Sequence, residues 1–400
     1  MNLILFDNSI IRENLLPFTF TRPVADIRIG ILSIREKWEK RMGCISSTYT
    51  EDYLQEKFPR MYNPVADNIW INSSVCPNDA LIAEIKSLKS REALYKDDEM
   101  IALNAGNVDY AGLEKDKSDW GKGIARLVSS SSFIRIVNTW DLFKYNAEAI
   151  REDYDFLTRN RKSQLLSRTN TVLGKEVFVE EGARVECAIL NAENGPVYIG
   201  KDAEVMEGSL IRGPFSLGEH ATLKMGTKIY GGTTIGPHCK AGGEISNSIL
   251  FGYSNKGHDG FLGNSVLGEW CNLGADTNNS NLKNNYGEVK LYQYRQKAMT
   301  GTGLQFCGLM MGDHSKSGIN TMFNTGTVVG AYANVFGGGF PPTFIPDFSW
   351  GTGPDAETYR PDKAKEVAAR VYERRGMAFD DIEQRILDHV FELTRNFRKD

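Results

Sequence analysis

From Ile199 the chain can be cut into blocks of six, IGKDAE, VMEGSL, IRGPFS, LGEHAT, LKMGTK, IYGGTT, IGPHCK and AGGEIS, and each begins with an aliphatic residue. Weaker blocks precede them from Leu173 (LGKEVF, VEEGAR, VECAIL). A shifted set resumes at Ile249, and a third runs from Met311. A period of six fits neither an α-helix nor a simple strand, but it is a signature of a parallel β-helix in which each block supplies one short strand. The leading aliphatic points into a narrow interior, where burial is worth roughly 1.5–3 kcal/mol per side chain. Glycine and small polar residues turn the corners between flat faces. Three faces close one coil of a triangular prism.

The chain before the coil has a different texture. MNLILFD reads as a first strand, LSIREKWEKRM and DALIAEIKSLKS as amphipathic helices, and IRIVNTW as a later strand, an alternation expected of a small α/β domain. The organisation expected is an α/β domain over 1–137, a helical connector over 138–165 and a β-helix over 166–345. A cap loop and C-terminal helices fill 346–400. GGGFPPTFIPDFSWGTGP reads as an ordered cap and not as a repeat. One terminal helix runs from about Lys363 to Arg375 and is stopped by Gly376; the other starts with Asp380 or Asp381 as N-cap.

Composition narrows the function classes. A formal charge of -4 gives no reason to expect a nucleic acid partner. The four-residue apolar run at the N-terminus is too short for a signal peptide or a membrane span. Six scattered cysteines without a CxxC read as reduced packing residues. A cytoplasmic protein is expected.

The stretch Ser254 to Asn285, SNKGHDGFLGNSVLGEWCNLGADTNNSNLKNN, disturbs the rhythm: the leading positions shift by two between Ala241 and Ile249. Lys256 to Thr277 resembles the acetyltransferase half of the bifunctional UDP-N-acetylglucosamine pyrophosphorylase / glucosamine-1-phosphate N-acetyltransferase family. That motif runs KAGH, a tyrosine three residues on, LGD, then NIGAGT. The resemblance implies a left-handed coil, packing as a homotrimer, and acetyl-CoA as acyl donor. It further implies that His258 is the general base, that Asn272 and Asn281 hold the amino sugar, and that backbone around Ala275 and Gly337 faces the pantetheine arm.

The residue types suit that chemistry. An amine attacking a thioester must lose a proton near neutral pH, which imidazole accepts, and amides donate to and accept from sugar hydroxyls. His220, His238 and His314 nevertheless occupy the same fourth position of their blocks, so a corner histidine also reads as merely solvated. The family's tyrosine is Phe261 here, and its paired lysines for the sugar phosphate are Ser246 and Asn247. Arg212, Lys224, Lys228 and Lys256 are the candidate replacements.

Residues 4–32, ILFDNSIIRENLLPFTFTRPVADIRIGIL, resemble the first strand and signature loop of sugar-phosphate nucleotidyltransferases, where a glycine-rich GTR stretch precedes LxPLT and RPK. The glycines are absent before Gly30 and the lysine is Val24. The resemblance implies binding of UTP with Mg²⁺, with Arg22 and Arg12 as phosphate contacts; no metal-binding carboxylate stands out. The function expected is acetyl-CoA-dependent N-acetylation of glucosamine-1-phosphate in the coil, joined to conversion of UTP and N-acetylglucosamine-1-phosphate to UDP-N-acetylglucosamine. Two alternatives stay open: a sugar-1-phosphate nucleotidyltransferase whose coil only oligomerises, and a non-catalytic scaffold that binds a nucleotide sugar. A carbonic-anhydrase-like coil is set aside because its HxxxxH ligand pair is missing.

Overall fold

The structure is a computed structural model that describes residues 1–107, 123–353 and 356–398. The chain divides into two compact units: 1–13, 22–27 and 32–137 form the first, and 14–21, 28–31 and 138–400 the second.

The first unit is built on a six-stranded mixed sheet. Its apolar opening strand Asn2–Phe6 lies parallel to Ser46–Tyr49 on one side and to Asn68–Asn72 on the other. The hairpin Glu92–Lys96 and Glu99–Asn104 joins antiparallel to Asn68–Asn72, and Ala125–Val128 closes the edge. Helices α1 (Ser9–Asn14), α2 (Ile34–Met42) and α3 (Asp79–Lys86) belong to this unit, α1 in all but its last residue. Ser33 and Glu36 cap α2 reciprocally and Gly43 ends it in the left-handed region, as LSIREKWEKRMG suggests. IRIVNTW is not a strand. Arg135 makes only an isolated bridge to Val75, because Ser74 and Cys76 are the backbone partners within reach.

The second unit is a parallel β-solenoid with three faces. Face one holds nine strands, from Val177–Val179 to Phe344–Ile345. Face two runs from Arg184–Val185 to Asn255–Lys256, continues through single bridges at Asn272, and ends with Ser349–Trp350. Face three begins at Thr171–Leu173. All eight leading residues, Ile199, Val205, Ile211, Leu217, Leu223, Ile229, Ile235 and Ala241, lie in one core, each at most 2 % exposed.

Two corners then shorten. Eighteen residues separate Leu223 from its stacked partner Ala241, but fifteen separate Ala241 from Lys256. The inward residues after this point are Leu250, Lys256 and Leu262, one place later than the blocks from Ile249 suggest; Leu267 and Leu273 restore the match. The antiparallel hairpin Lys290–Gln293 and Ala298–Gly301 leaves the coil before Leu309–Met311 resumes it. The proline-rich segment read as a cap is a further coil, since Phe344–Ile345 and Ser349–Trp350 pair in parallel with the preceding strands.

Helix α4 (Asp141–Thr158) packs on face one and fixes the segment 28–31: Asn146 accepts from the Gly30 N–H at 2.7 Å and Asp153 from that of Ile31 at 2.8 Å. A left-handed corner between faces one and two carries a ladder of flat rings. His220, His238, Tyr253 and Trp270 stack at 5.0, 4.8 and 4.2 Å, and His314, Tyr332 and Phe348 continue at 4.6 and 4.9 Å. Tyr372 of α5 (Pro361–Glu373) packs beside the ladder against Trp270, at 4.2 Å, and His314, at 6.0 Å. Asp380 caps the last helix, α6 (Asp381–Leu393).

The ladder is therefore the anchor of the terminal helices. Tyr372→Ala removes a 5 %-exposed ring and is expected to cost about 3 kcal/mol, the scale of a buried aromatic truncation. Tyr372→Phe changes little, since the hydroxyl reaches only Glu383 at 3.5 Å. Denaturant unfolding followed by Trp270 fluorescence measures both; equal midpoints for Ala and Phe would refute the anchor.

Candidate functional site

In the first unit the chain passes from Asn2–Phe6 to its neighbour on one side and then crosses to Asn68–Asn72 on the other. Open α/β sheets bind ligands outside the carboxyl ends of strands at such a reversal. A cavity of about 450 Å³ opens there, lined by Phe6, Asp7, Asn8, Ser9, Arg12, Tyr49, Thr50, Glu51, Asp52, Asn72 and the hairpin residues Tyr95, Asp98, Glu99 and Met100. Asp7 ends the first strand with its side chain 3 % exposed. It accepts from the Thr50 hydroxyl at 2.6 Å and the Val24 N–H at 3.1 Å, and meets Arg12 at 3.3 Å. Burial pushes its carboxyl above the ordinary value, against the pull of Arg12.

Arg12 lies in this cavity, and its guanidinium also donates to the Arg22 carbonyl at 3.0 Å and the Tyr53 hydroxyl at 2.9 Å. Arg22 is buried and does not line the cavity, so the expected phosphate contact there is not where the structure puts it. The motif LLPFTFT is likewise displaced: residues 14–21 belong to the second unit, where Phe18 packs on Phe251 and Phe20 on Tyr294, both at 5.3 Å. In place of a glycine loop, Asn8 accepts from the N–H groups of Ile10 and Ile11. The cavity lining carries one cation against the five carboxylates Asp7, Glu51, Asp52, Asp98 and Glu99. Mg²⁺ binds through one or two carboxylates plus substrate phosphates, and exposed Glu51 and Asp52 suit that donor set, whereas Asp7 is committed. Among the described residues, the group of three ligand atoms close enough to hold a metal is Asp202, Glu219 and His220, exposed and outside this cavity.

The second site follows from the shortened coil. Strand Lys240–Ala241 is joined to Glu244–Ser246 by Gly242 and Gly243 alone, where the coil before uses four residues, Lys224 to Thr227. The recess is a groove of about 690 Å³ lined by Met206, Lys224, Met225, Gly242, Gly243, Gly257, His258, Asp259, Ala275 and Asp276. The 257–260 loop sits directly over the two glycines: a Cβ on Gly242 would meet the Gly257 carbonyl oxygen at 2.9 Å, and one on Gly243 the Gly260 oxygen at 2.7 Å.

His258 is exposed in this groove and takes no part in the ring ladder. Its block-mates His220, His238 and His314 all adopt positive φ at a different corner and stack. Burial, His220 and Arg375 push the pKa of His238 down. Ala275 shares the groove, and Gly337, at φ 136°, follows Asn334–Val335 at the same kind of corner further along. Asn272 is exposed on face two, bridging Asn255 and Lys316. Asn281 donates to Asn264 at 2.8 Å beyond face three and does not line the groove. Phe261, Arg212 and Lys228 lie on face three, also outside it.

Lys256 is one of the candidate cations for the sugar phosphate. It is, however, 1 % exposed, in the inward column above Ala241, and donates to the carbonyls of Gly242, His258 and Asp259 at 3.0, 2.8 and 3.3 Å. Of the four candidate cations, Lys224 alone reaches the groove lining. The acids Asp259 and Asp276 and the methionines Met206 and Met225 were not anticipated; their signal is only that they occupy the same corner as His258 in successive coils.

Residues 3–162 match the family model described as sugar nucleotidyl transferase. The chain is 34 % identical over 146 residues to a bifunctional sugar-1-phosphate nucleotidylyltransferase/acetyltransferase of Sulfurisphaera tokodaii, covering 36 % of each chain. It is 32 % identical over 88 residues to the bifunctional protein GlmU of Methanocaldococcus jannaschii, covering 22 % of this chain and 21 % of that one. The matched segments thus span about a third and a fifth of these relatives. A solved UDP-N-acetylglucosamine acyltransferase of Arabidopsis aligns with 58 % of this chain and 93 % of its own, at 14 % identity and a TM-score of 0.24. In general terms the chain is similar to transferases of the sugar nucleotidyltransferase/acetyltransferase type, with a nucleotidyltransferase-like N-terminal unit and a C-terminal parallel β-solenoid. Among the described residues no helix is long and apolar enough to cross a membrane.

The groove depends on glycine at position 243. Gly243→Ala adds both the strain of φ +73° and a clash with the loop, whereas Gly226→Ala, at φ +70° with nothing within 4 Å, adds the strain alone. Gly226→Ala is expected to lose about 1–2 kcal/mol and Gly243→Ala more, and only Gly243→Ala moves the His258 ring resonances in an NMR spectrum. Equal spectra for the two variants would refute the seating of the loop.

Proposed function

We propose that the groove is an N-acetyltransferase site acting on an amino-sugar 1-phosphate with acetyl-CoA as donor, and that His258 is its general base. The observation that supports this most directly is the separation of His258 from its stacked counterparts: it stands exposed over a recess made by a shortened coil. The imidazole accepts the proton of the sugar amine as the nitrogen attacks the thioester carbonyl; the tetrahedral oxyanion then collapses, forming the amide and releasing the thiolate of coenzyme A. Asp259 and Asp276 give the groove an acidic rim that favours an ammonium-bearing substrate over a neutral sugar. Lys224 is the cation available to the phosphate within one chain. Asn272 and Asn281 lie outside the groove, so their proposed contacts with the sugar require a neighbouring copy, and the reading includes a homotrimer with sites between coils.

The first unit is read as a nucleotidyl-transfer site for UTP and N-acetylglucosamine-1-phosphate. Mg²⁺ held by Glu51 and Asp52 with the phosphates would screen the triphosphate charge there. Arg12, fixed by Asp7 and Tyr53, presents the cavity's one guanidinium. A nucleotidyltransferase whose solenoid only oligomerises remains the second reading, favoured by a family match confined to residues 3–162.

His258→Ala is expected to keep the assembly and its melting temperature while lowering acetyl transfer to glucosamine-1-phosphate by about two to four orders of magnitude. His238→Ala does little to the rate. Wild-type rates in both variants, measured by thiol release, would sink the assignment and leave the second reading. For the first unit, UTP binding followed by calorimetry is expected with Mg²⁺ and to vanish in EDTA, because the bare triphosphate meets five carboxylates and one arginine. Undiminished binding in EDTA would exclude this cavity as the nucleotide site.

A further inference from the structure

The inward column of face two reads Val185, Val205, Leu223, Ala241, Lys256, Leu273, and one member is a cation. Burying an ammonium among aliphatics is costly unless its protons find acceptors. Stability alone would favour another leucine or isoleucine. Ala241, the smallest side chain of the column, leaves room beside it, and the four-carbon stem carries the charge toward the corner that faces the groove. The three acceptors there are the carbonyls of Gly242, on the recess floor, and of His258 and Asp259, in the loop itself.

We propose that Lys256 is a positioning residue: from inside the coil its ammonium clamps the loop to the glycine floor and so fixes where the His258 imidazole stands. The proposal rests on the reading of His258 as base, but the clamp itself is a statement about the loop. At the same corner of earlier coils the hydroxyls of Ser209 and Thr227 also bridge two coils, each through one carbonyl per coil, whereas this ammonium reaches three carbonyls with a full charge. The titratable groups around the ammonium are His258 and Asp259 on its own loop, Asp276 on the next corner and Lys224 two coils before it. Burial outweighs the two carboxylates and brings the Lys256 pKa down to about 8.

Two opposite pH trends follow. The folded protein releases this proton near pH 8, the unfolded chain not until about 10.4. Between those values the unfolded state binds more protons, so this group makes stability rise with pH. The clamp weakens over the same interval, because a neutral amine has fewer protons for three carbonyls. A residue that merely stabilised the fold would move both in one direction.

The test compares wild type with Lys256→Met, which fills the column without donating, and with Lys316→Met. Lys316 also has a pKa brought down to about 8 by burial, and it donates to the His314 carbonyl at 2.9 Å on the ladder corner. Amide hydrogen exchange of residues 257–260 is expected to rise about tenfold or more in Lys256→Met and to stay unchanged in Lys316→Met. Its kcat for acetyl transfer falls about 10- to 100-fold, as expected when a base is displaced, with the unfolding midpoint unchanged or raised. Wild-type activity declines as pH rises through about 8, and Lys256→Met lacks that alkaline limb. Unchanged loop exchange in Lys256→Met overturns the proposal whatever the activity. If Lys256→Met does not fold, wild-type exchange decides: after correction for intrinsic rates, the 257–260 amides must accelerate between pH 7 and 9 relative to those of 224–227, and equal behaviour overturns the clamp. A wild type without acetyl transfer but with a loosened loop in Lys256→Met refutes the His258 reading and upholds the clamp.

Discussion

Everything in the second unit depends on vertical stacking inside a narrow prism. Each coil must set one side chain per face directly above its predecessor, because the interior has no room for two and no tolerance for a gap. Where the coil shortens, that rule is kept: Leu250, Lys256 and Leu262 remain in their columns while the corners give up residues. A column cannot slip without turning an entire strand inside out, but a corner can lose two residues if glycines replace them. The groove is therefore a by-product of protecting the columns.

Most of the solenoid was legible because a period of six is enforced by that stacking, and the eight leading aliphatics all prove to be core. The one-residue error at Leu250, Lys256 and Leu262 arose at corners, where glycine and asparagine serve equally in long and short turns and no letter records length. The last coil was hidden by its prolines, which suggest a loop, although Phe344–Ile345 and Ser349–Trp350 still stack. In the first unit the strand and helices of the opening half were readable from local pattern. The cavity was not: Asp7, Arg12, Thr50 and Tyr53 meet only through the order of the sheet. LLPFTFT resembles the LxPLT of a nucleotidyltransferase signature loop, yet its Phe18 and Phe20 pack on Phe251 and Tyr294.

The histidines show what a six-residue frame leaves out. Counting by sixes superimposes the three corners of a coil, so His220, His238, His314 and His258 fall at one position. Counting by whole coils separates them: His220 and His238 lie eighteen residues apart on one corner, and Tyr253 takes the next place in that ladder. His258 belongs to the following corner, where no ring precedes it. The residue type is shared, but the surroundings divide three stacked rings from one that faces solvent and a recess.

A solenoid is nearly one-dimensional: each coil is held by its two neighbours and by little else, so its cohesion is a chain of interface terms. The fifteen-residue coil is the shortest link in that chain. It sets an alanine in one column and stacks on it an ammonium where most coils place hydrocarbon. The recess that carries His258 thus coincides with the coil whose face-two column holds a charge.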